Sequence, residues 1–224
     1  TAETTGDIHS YGFRRGRSTA DAIVQVRNAL GRKHSPQWVL EADIKGCFDN
    51  ISHDWLIAHV PMDKGVLRKW LKAGYFEGNN LFPTESGTPQ GGIISPVLAN
   101  LALDGLQDAL AGLFRTVREA RSAKLNFVRY ADDFIITGSS RELLENRVKP
   151  LVQDFLRARG LELSEKKTLV THVTDGFDFL GWNVRWQGGM LLTKPSRKNV
   201  KNFLAKVRGT LRDMRTSRQA DVID

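Results

Sequence analysis

Two adjacent aspartates, Asp132 and Asp133, interrupt an apolar stretch of the chain. Phe127 and Val128 precede them, and residues 134–136 after them are Phe, Ile and Ile. A buried carboxylate is costly unless it is paired, protonated or bound to a cation, and two neighbouring carboxylates also repel each other. The alternative is that the Asp pair has only a structural role in a turn, but tight hairpins favour Asn-Gly or Asp-Gly over Asp-Asp. The pattern therefore favours a cation at this position.

A third carboxylate, Asp43, follows a short apolar strand pattern that begins at Trp38. If this strand lies beside those that flank the Asp pair, three acids converge. Such oxygen ligands suit two Mg²⁺ ions, with Mn²⁺ as a substitute, and ions about 4 Å apart would activate an attacking hydroxyl and stabilise a leaving oxygen in phosphoryl transfer. Glu41 and Asp49 are competing carboxylates. We expect Glu41 on the opposite face of the strand and Asp49 beyond its end, both in solvated or capping roles.

The overall charge favours a polyanionic partner. The 224 residues include 33 Lys and Arg against 25 Asp and Glu, for a net charge of +8. Such an excess attracts nucleic acid, although an ordinary basic surface is the alternative. The single cysteine, Cys47, excludes an internal disulfide, and no Cys/His cluster has zinc spacing. No apolar run approaches the roughly 18 residues of a membrane span, so we expect no membrane partner.

Hydrophobic periodicity predicts short strands and helices in alternation. Ser18 is a predicted N-cap, and Ser95 with Pro96 is predicted to open a helix that continues through Leu110. The Asp pair is predicted at the tip of a hairpin, and residues 74–92 form a predicted loop or hairpin. The predicted strands cover residues 38–42, 125–130, 134–137, 161–163 and 169–171, with a hairpin over 177–192, and further helices are predicted over 53–59, 64–73 and 141–159.

The C-terminal segment has a different pattern. Nine Lys and Arg lie between Lys194 and Arg218 against one acid, Asp213. Apolar residues recur at helical spacing within it, at Val200, Phe203, Leu204, Val207, Leu211 and Met214. We expect a helix from about residue 197 to 215 that lays this apolar stripe on the protein; a solvated amphipathic face is the alternative. The side chains expected to face nucleic acid are Arg197, Lys201, Arg208, Arg212 and Arg215.

Six segments resemble, in order, conserved motifs of reverse transcriptases of the group II intron type. GFRRGRSTADAI is similar to a block in the fingers, and EADIKGCFDNI to motif A. GTPQGGIISPVLANLALDGL is similar to motif B, YADDF to motif C, GLELSEKKT to motif D and FDFLGW to motif E. The resemblance runs from about Tyr11 to Arg185, which is most of the chain.

The resemblance implies an α+β fold, the palm of a right-hand polymerase, in which helices back an antiparallel sheet. Residues 1–36 would be partial fingers and residues 37–193 the palm, with a fingers-side segment near 60–88. Residues 194–224 would begin a helical thumb. Because the family's first fingers blocks and most of its thumb have no counterpart here, we expect the chain to be part of a longer protein.

Carried over by position, the resemblance also implies a catalytic set. Asp43, Asp132 and Asp133 would hold the metal ions. The carbonyl of Ile44 would assist them. Lys167 would lie near the pyrophosphate as a proton donor; from the residues alone, a solvated lysine is the alternative.

The implied substrate contacts surround this set. Phe48 would lie under the incoming sugar, with Gln90 and Gly91 beside the nucleotide; from the residues alone, Phe48 is equally a core residue. The FLGW stretch would hold the primer strand. The implied nucleic-acid contacts outside the C-terminal helix are Arg14, Arg15, Arg17, Phe179, Leu180, Gly181 and Trp182.

The implied function is RNA-directed DNA synthesis from dNTPs on an RNA template with a DNA or RNA primer. A maturase role is also implied, in which the protein binds its intron RNA to assist splicing and mobility, with target DNA as a further partner. We expect it in the bacterial cytoplasm or an organelle, in a ribonucleoprotein with intron RNA. Two alternatives stay open: an RNA-binding splicing factor with a vestigial polymerase site, and a related bacterial reverse transcriptase used in defence or diversification.

Overall fold

A four-stranded antiparallel sheet lies at the centre of the computed structural model, which describes residues 6–77, 80–82, 86–88 and 92–214. Its strands are β1 (Trp38–Asp43), β4 (Asn126–Tyr130), β5 (Asp133–Gly138) and β6 (Leu169–His172), in the order β4-β5-β1-β6. Each neighbouring pair is antiparallel. The expected hairpin, with β4 and β5 joined beside the Asp pair, is confirmed.

Two hydrophobic layers cover the two faces of this sheet, because successive strand residues point to opposite sides. Leu40 and Ile136 pack into the larger layer with most of the helices. Val39 and Ile135, their neighbours in sequence, pack into the other layer. Strands β4, β5 and β1 are therefore covered on both faces, whereas the edge strand β6 is only partly covered, with Leu169 54% exposed. The ends of the strands remain for a site.

The predicted helices occur in the predicted order, with their bounds set by local chemistry, and two short helices, Cys47–Asn50 and Val117–Ala123, were not predicted. The first has the predicted cap, since the Ser18 side chain accepts from the Asp21 N–H and the Asp21 carboxylate accepts from the Ser18 N–H. None of the helices in the described ranges is long and apolar enough to cross a membrane. The helices are α1 (Thr19–Leu30), α2 (Cys47–Asn50), α3 (His53–His59), α4 (Lys64–Leu71), α5 (Ser95–Leu103), α6 (Leu106–Ala111), α7 (Val117–Ala123), α8 (Arg141–Leu143), α9 (Lys149–Arg157) and α10 (Arg197–Asp213).

Two predicted helices are interrupted. The helix expected from Ser95 through Leu110 breaks at Gly105, whose φ of 91° lies outside the helical region, and its N-cap is Ile94 rather than Ser95. Residues 144–148 are π-helical between α8 and α9. Pro150 follows this segment, and a proline cannot donate to the carbonyl four residues earlier, which accounts for the local widening.

The remaining strands form two smaller sheets. The predicted hairpin over 177–192 is a three-stranded antiparallel sheet of β7 (Phe177–Phe179), β8 (Trp182–Gln187) and β9 (Met190–Pro195). A separate pair, β2 (Tyr75–Glu77) and β3 (Asn80–Phe82), confirms a hairpin within residues 74–92. The strand predicted over 161–163 is wrong, because Leu163 forms an isolated bridge with Ile44.

Helix α10 has the predicted apolar stripe, but the stripe does not lie on the described part of the protein. No residue of α10 is buried, and Phe203 and Leu211 are 65% and 61% exposed. Among the described residues, hydrogen bonds join α10 to the rest of the protein at its start only, where the Ser196 N–H and the Asn199 side chain donate to the Gly181 carbonyl. The prediction that this apolar stripe packs on the protein is therefore wrong for the residues that the structure describes.

Candidate active site

The three predicted acids meet at one end of the central sheet. Asp43 and Asp133 are direct partners across β1 and β5, so their Cβ atoms lie roughly 5 Å apart as in any opposed antiparallel pair. Asp132 lies in the turn that joins β4 to β5, beside the paired residues Tyr130 and Asp133. The convergence expected from the strand ends is present.

The turn is held in an unusual backbone conformation. Ala131, its first residue, has a φ of 57°, in the left-handed region that favours glycine. Such conformations persist where surrounding contacts determine them, and they are common at active sites. The acids are thus placed by a turn that its own sequence does not favour.

The acids also have unfavourable electrostatic surroundings. Desolvation, with repulsion from Asp132 and Asp43, raises the pKa of Asp133 to about 6. Desolvation raises the pKa of Asp132 as well, and the Asp43 carboxylate adds to the effect. Carboxylates gathered in this way require a positive charge if all are to be ionised at neutral pH.

Lys167 supplies one such charge. Its Nζ lies 3.2 Å and 3.1 Å from the two carboxylate oxygens of Asp43, and this hydrogen bond raises the pKa of the lysine. The backbone N–H of Ser164 donates to the Asp43 carbonyl at 2.8 Å, and the Lys167 N–H donates to the Ser164 carbonyl. The loop that carries Lys167 is therefore tethered to the acid that it neutralises.

The carboxylate oxygens of Asp43, Asp132 and Asp133 suit a divalent cation, although the Asp43 carboxylate accepts hydrogen bonds from Lys167. No three His, Cys, Asp or Glu side chains in the described residues are arranged to chelate a metal. The chemistry of the set nevertheless fits, since three mutually repelling oxygen donors are what a hard cation stabilises. Ile44, the predicted carbonyl ligand, is buried and bridges to Leu163 directly after Asp43.

A cleft of about 300 Å³ opens beside Asp43 and Asp133. Part of its lining was not predicted from the sequence, and the expectation that Glu41 lies on the opposite face of the strand was wrong. Glu41 lines the same cleft as Asp43 because residues two apart on a strand share a face. Glu41 accepts a hydrogen bond from Thr171 Oγ1, and burial raises its pKa. The other lining residues are Ala42, Phe134, Ile135, Lys167, Asp178, Phe179, Leu180 and Lys198.

The FLGW stretch borders this cleft as a tight hairpin. Leu180 and Gly181 both have positive φ, 50° and 81°, as two-residue turns between twisted strands require. Phe179 is buried, and Trp182 is 38% exposed. The stretch is thus placed next to the acids, while the predicted contact with a primer stays a prediction.

Phe48 packs partly in the core and partly against an exposed ring. It contacts the larger hydrophobic layer, and Phe13 meets it edge to face with ring centroids 6.2 Å apart. Phe13 is 51% exposed and has a φ of 57°. Gln90 and Gly91, the other predicted nucleotide contacts, lie outside the described residues.

The basic residues predicted to bind nucleic acid have different surroundings. Arg14 is buried and lies 2.7 Å from the Asp104 carboxylate, a position that does not suit the predicted contact with RNA. Arg17 donates to the Ile8 and Ser10 carbonyls and covers the Tyr11 ring. Arg15 is exposed, as are the four predicted basic side chains within α10, whereas Arg215 lies outside the described residues. Those four are Arg197, Lys201, Arg208 and Arg212.

Comparisons of the sequence with a family model and with known proteins agree on one family. Residues 4–184 match the family described as reverse transcriptase (RNA-dependent DNA polymerase). The chain is 31% identical over 239 residues to the group II intron-encoded protein LtrA of Lactococcus lactis subsp. cremoris, covering 79% of this chain and 39% of that protein. It is 31% identical over 229 residues to the putative COX1/OXI3 intron 1 protein of Saccharomyces cerevisiae, covering 79% of this chain and 27% of that protein.

A solved structure shows the same fold. Apo telomerase from Candida tropicalis, truncated from the C-terminal domain, superposes with a TM-score of 0.61 at 19% sequence identity. The match covers 84% of this chain and 41% of the other. The α+β polymerase palm expected from the sequence is confirmed.

Proposed function

Because the chain belongs to the reverse transcriptase family, we propose that it carries the RNA-directed DNA polymerase centre of a group II intron-encoded protein. The observation that carries the proposal is the register pairing of Asp43 with Asp133, with Asp132 in the adjoining turn. The matched relatives include intron-encoded proteins by their names. The chain spans 39% of the first of these relatives, so the activity is proposed for the whole protein.

Asp43, Asp132 and Asp133 would hold two Mg²⁺ ions, with Mn²⁺ as a substitute. Bound divalent ions lower the pKa of an attacking primer hydroxyl and stabilise the leaving oxygen of phosphoryl transfer. The desolvation and the mutual repulsion that raise the pKa of Asp132 and Asp133 support this assignment. The Ile44 carbonyl, adjacent to Asp43 in the chain, is the proposed additional ligand.

Lys167 would serve the triphosphate end of the incoming dNTP. Its ammonium group stays protonated because Asp43 raises its pKa, so it can donate a hydrogen bond or a proton to the pyrophosphate oxygen. The side chain is 68% exposed and can move from Asp43 once a cation replaces its charge. Phe48, Gln90 and Gly91 are the proposed contacts to the sugar and base.

The maturase role extends this proposal to intron RNA. The exposed basic face of α10 supports RNA binding, since phosphate contacts from Lys and Arg supply most of the affinity for nucleic acid. The proposed partners are the intron RNA, an RNA template with its primer, dNTPs and target DNA, within a ribonucleoprotein. Partial fingers over residues 1–36, a palm over 37–193 and a thumb from residue 194 form the proposed domain division.

Primer extension on RNA by the full-length protein, with sequencing of co-purified RNA, tests the proposal. Asp43→Ala or Asp132→Ala should abolish extension while RNA affinity stays within a few-fold, because affinity comes mainly from basic side chains. Normal extension by either variant would exclude the metal-site assignment. Intron RNA bound by a wild-type protein that does not extend primers would instead support the vestigial splicing factor.

A further inference from the structure

The turn that carries Asp132 and Asp133 is backed by a segment from the start of the chain. The Arg129 N–H donates to the His9 carbonyl at 2.9 Å, and the Tyr11 N–H donates to the Arg129 carbonyl at 2.8 Å. Ser10 forms a parallel bridge with Arg129. Residues 9–11 therefore add a short backbone pairing to the free edge of β4, immediately before the turn.

Gly12 brings this segment into contact with the turn itself. A Cβ at position 12 would lie 2.3 Å from the Ala131 nitrogen and 3.0 Å from its Cα and Cβ. The shortest contact is with the backbone nitrogen, which cannot move aside as the end of a long side chain can. Glycine is thus required at position 12 by the closeness of the turn.

Two buried side chains, Asn100 and Arg129, form hydrogen bonds where Gly12 approaches the turn. Asn100 donates from Nδ2 to the Gly12 carbonyl at 2.9 Å and accepts at Oδ1 from Arg129 at 3.1 Å. The same Arg129 nitrogen lies 3.4 Å from the Ala131 carbonyl, and Arg129 is fully buried. Asn100 lies in α5, so a helix, the N-terminal segment and β4 all meet at the first residue of the turn.

We propose that Gly12, Asn100 and Arg129 are positioning residues that hold the Ala131 turn, and with it Asp132 and Asp133, in the geometry that polymerisation needs. This inference rests on the proposed function. Ala131 needs external restraint, because its left-handed backbone is sparsely populated for residues other than glycine. A displacement of about 1 Å at a reacting group can cost roughly 100-fold in rate, so loss of the restraint reduces turnover without removing a ligand.

The test uses Gly12→Ala and Asn100→Asp in the full-length protein. Asn100→Asp has nearly the same shape and still accepts from Arg129, but it cannot donate to the Gly12 carbonyl. In both variants, kcat for single-nucleotide extension should fall at least about tenfold, while KM for the dNTP and Kd for primer-template stay within about twofold. Gly112→Ala is the matched control, since its new Cβ meets neighbours at 3.5 Å or more, and it should behave as wild type.

Hydrogen exchange measured by mass spectrometry reports on the turn without any need for activity. The peptide over residues 128–135 should exchange faster in both variants than in wild type, while a peptide from α9 is unchanged. Unchanged exchange and kcat in folded Gly12→Ala would overturn the inference, as would an equal increase in α9, which indicates general destabilisation. If Gly12→Ala does not fold, Asn100→Asp decides. If wild type fails to extend primers, the proposed function fails and the exchange result still decides this inference.

Discussion

The Asp133 carboxyl is held close to two other carboxylates at the end of the central sheet. Its pKa of about 6 lies above the ordinary 3.8, so the folded state favours the protonated form. The resulting stabilisation is complete below about pH 4 and is lost as pH rises through about 6. In the absence of divalent cation, the ionised site is therefore a source of instability at neutral pH.

Asp133→Asn should remove the cost of desolvating the ionised carboxyl and its repulsion by Asp132 and Asp43, without changing the shape of the side chain. In EDTA at pH 7.5 we expect the variant to gain about 1 kcal/mol in free energy of unfolding, a small value because solvent screens a partly exposed carboxyl. The gain should vanish near pH 4, as measured by urea unfolding across pH. Added Mg²⁺ should stabilise wild type more than the variant. Parallel pH profiles for the two proteins would contradict the prediction, and Asp154→Asn, at an exposed acid, is the control.

Phe48 is the other single residue whose role can be tested directly. Its ring lies five positions after Asp43 and between the core and Phe13, where it could exclude a ribose 2′-hydroxyl. Phe48→Val should then raise the kcat/KM for a ribonucleotide relative to its deoxy counterpart, because a steric clash is removed. If Phe48 is only a core residue, truncation instead destabilises the fold by up to about 3–5 kcal/mol and lowers the use of both nucleotides together. An unchanged ratio in a folded variant would exclude the gate.

At the scale of elements, hydrophobic periodicity predicted much of what positions the site. The strand from Trp38 and the hairpin around Asp132 were predicted because alternation and apolar runs are local signals. The break at Gly105 and the π-helical residues 144–148 were not predicted, since apolar spacing continues through both. The exposed stripe of α10 was missed for another reason: periodicity identifies an apolar face, but it does not say what covers that face.

The basic face of α10 gives a prediction at this scale. Replacing Lys201 and Arg208 together with Ala should weaken RNA binding with little sequence preference and flatten the slope of log K against log salt by about two, one for each lost phosphate contact. Arg118→Ala with Arg121→Ala removes the same charge from exposed positions of α7 and should leave the slope unchanged. Equal effects of both pairs would show that net charge, and not α10, determines affinity.

Across the whole molecule, a buried ionic cluster joins parts of the chain that are far apart in sequence. Asp104 lies 2.7 Å from Arg14 and 2.6 Å from Arg129. The Asp7 side chain accepts from the Gly105 N–H, and burial raises its pKa. The resemblance implied that Arg14 binds nucleic acid, and no local pattern revealed a partner 90 residues away. The same distance hid Gly12 and Asn100, although both lie within quoted motifs.

Asp104→Ala tests whether this cluster makes the N-terminal segment part of the same folding unit as the sheet. Arg14 and Arg129 would both lose the Asp104 carboxylate while remaining buried, with 3% and 0% of their side chains exposed. Removing one partner of a buried pair typically costs about 3–5 kcal/mol, because the remaining charge is uncompensated. Urea unfolding should show that loss in a single transition, and proteolysis should cleave residues 6–17 sooner than in wild type. Asp154→Ala is the control: it breaks the exposed ion pair with Arg157, and surface ion pairs contribute at most about 1 kcal/mol to the free energy of unfolding. If Asp104→Ala lowers the free energy of unfolding by a similarly small amount, the N-terminal segment folds independently of the cluster.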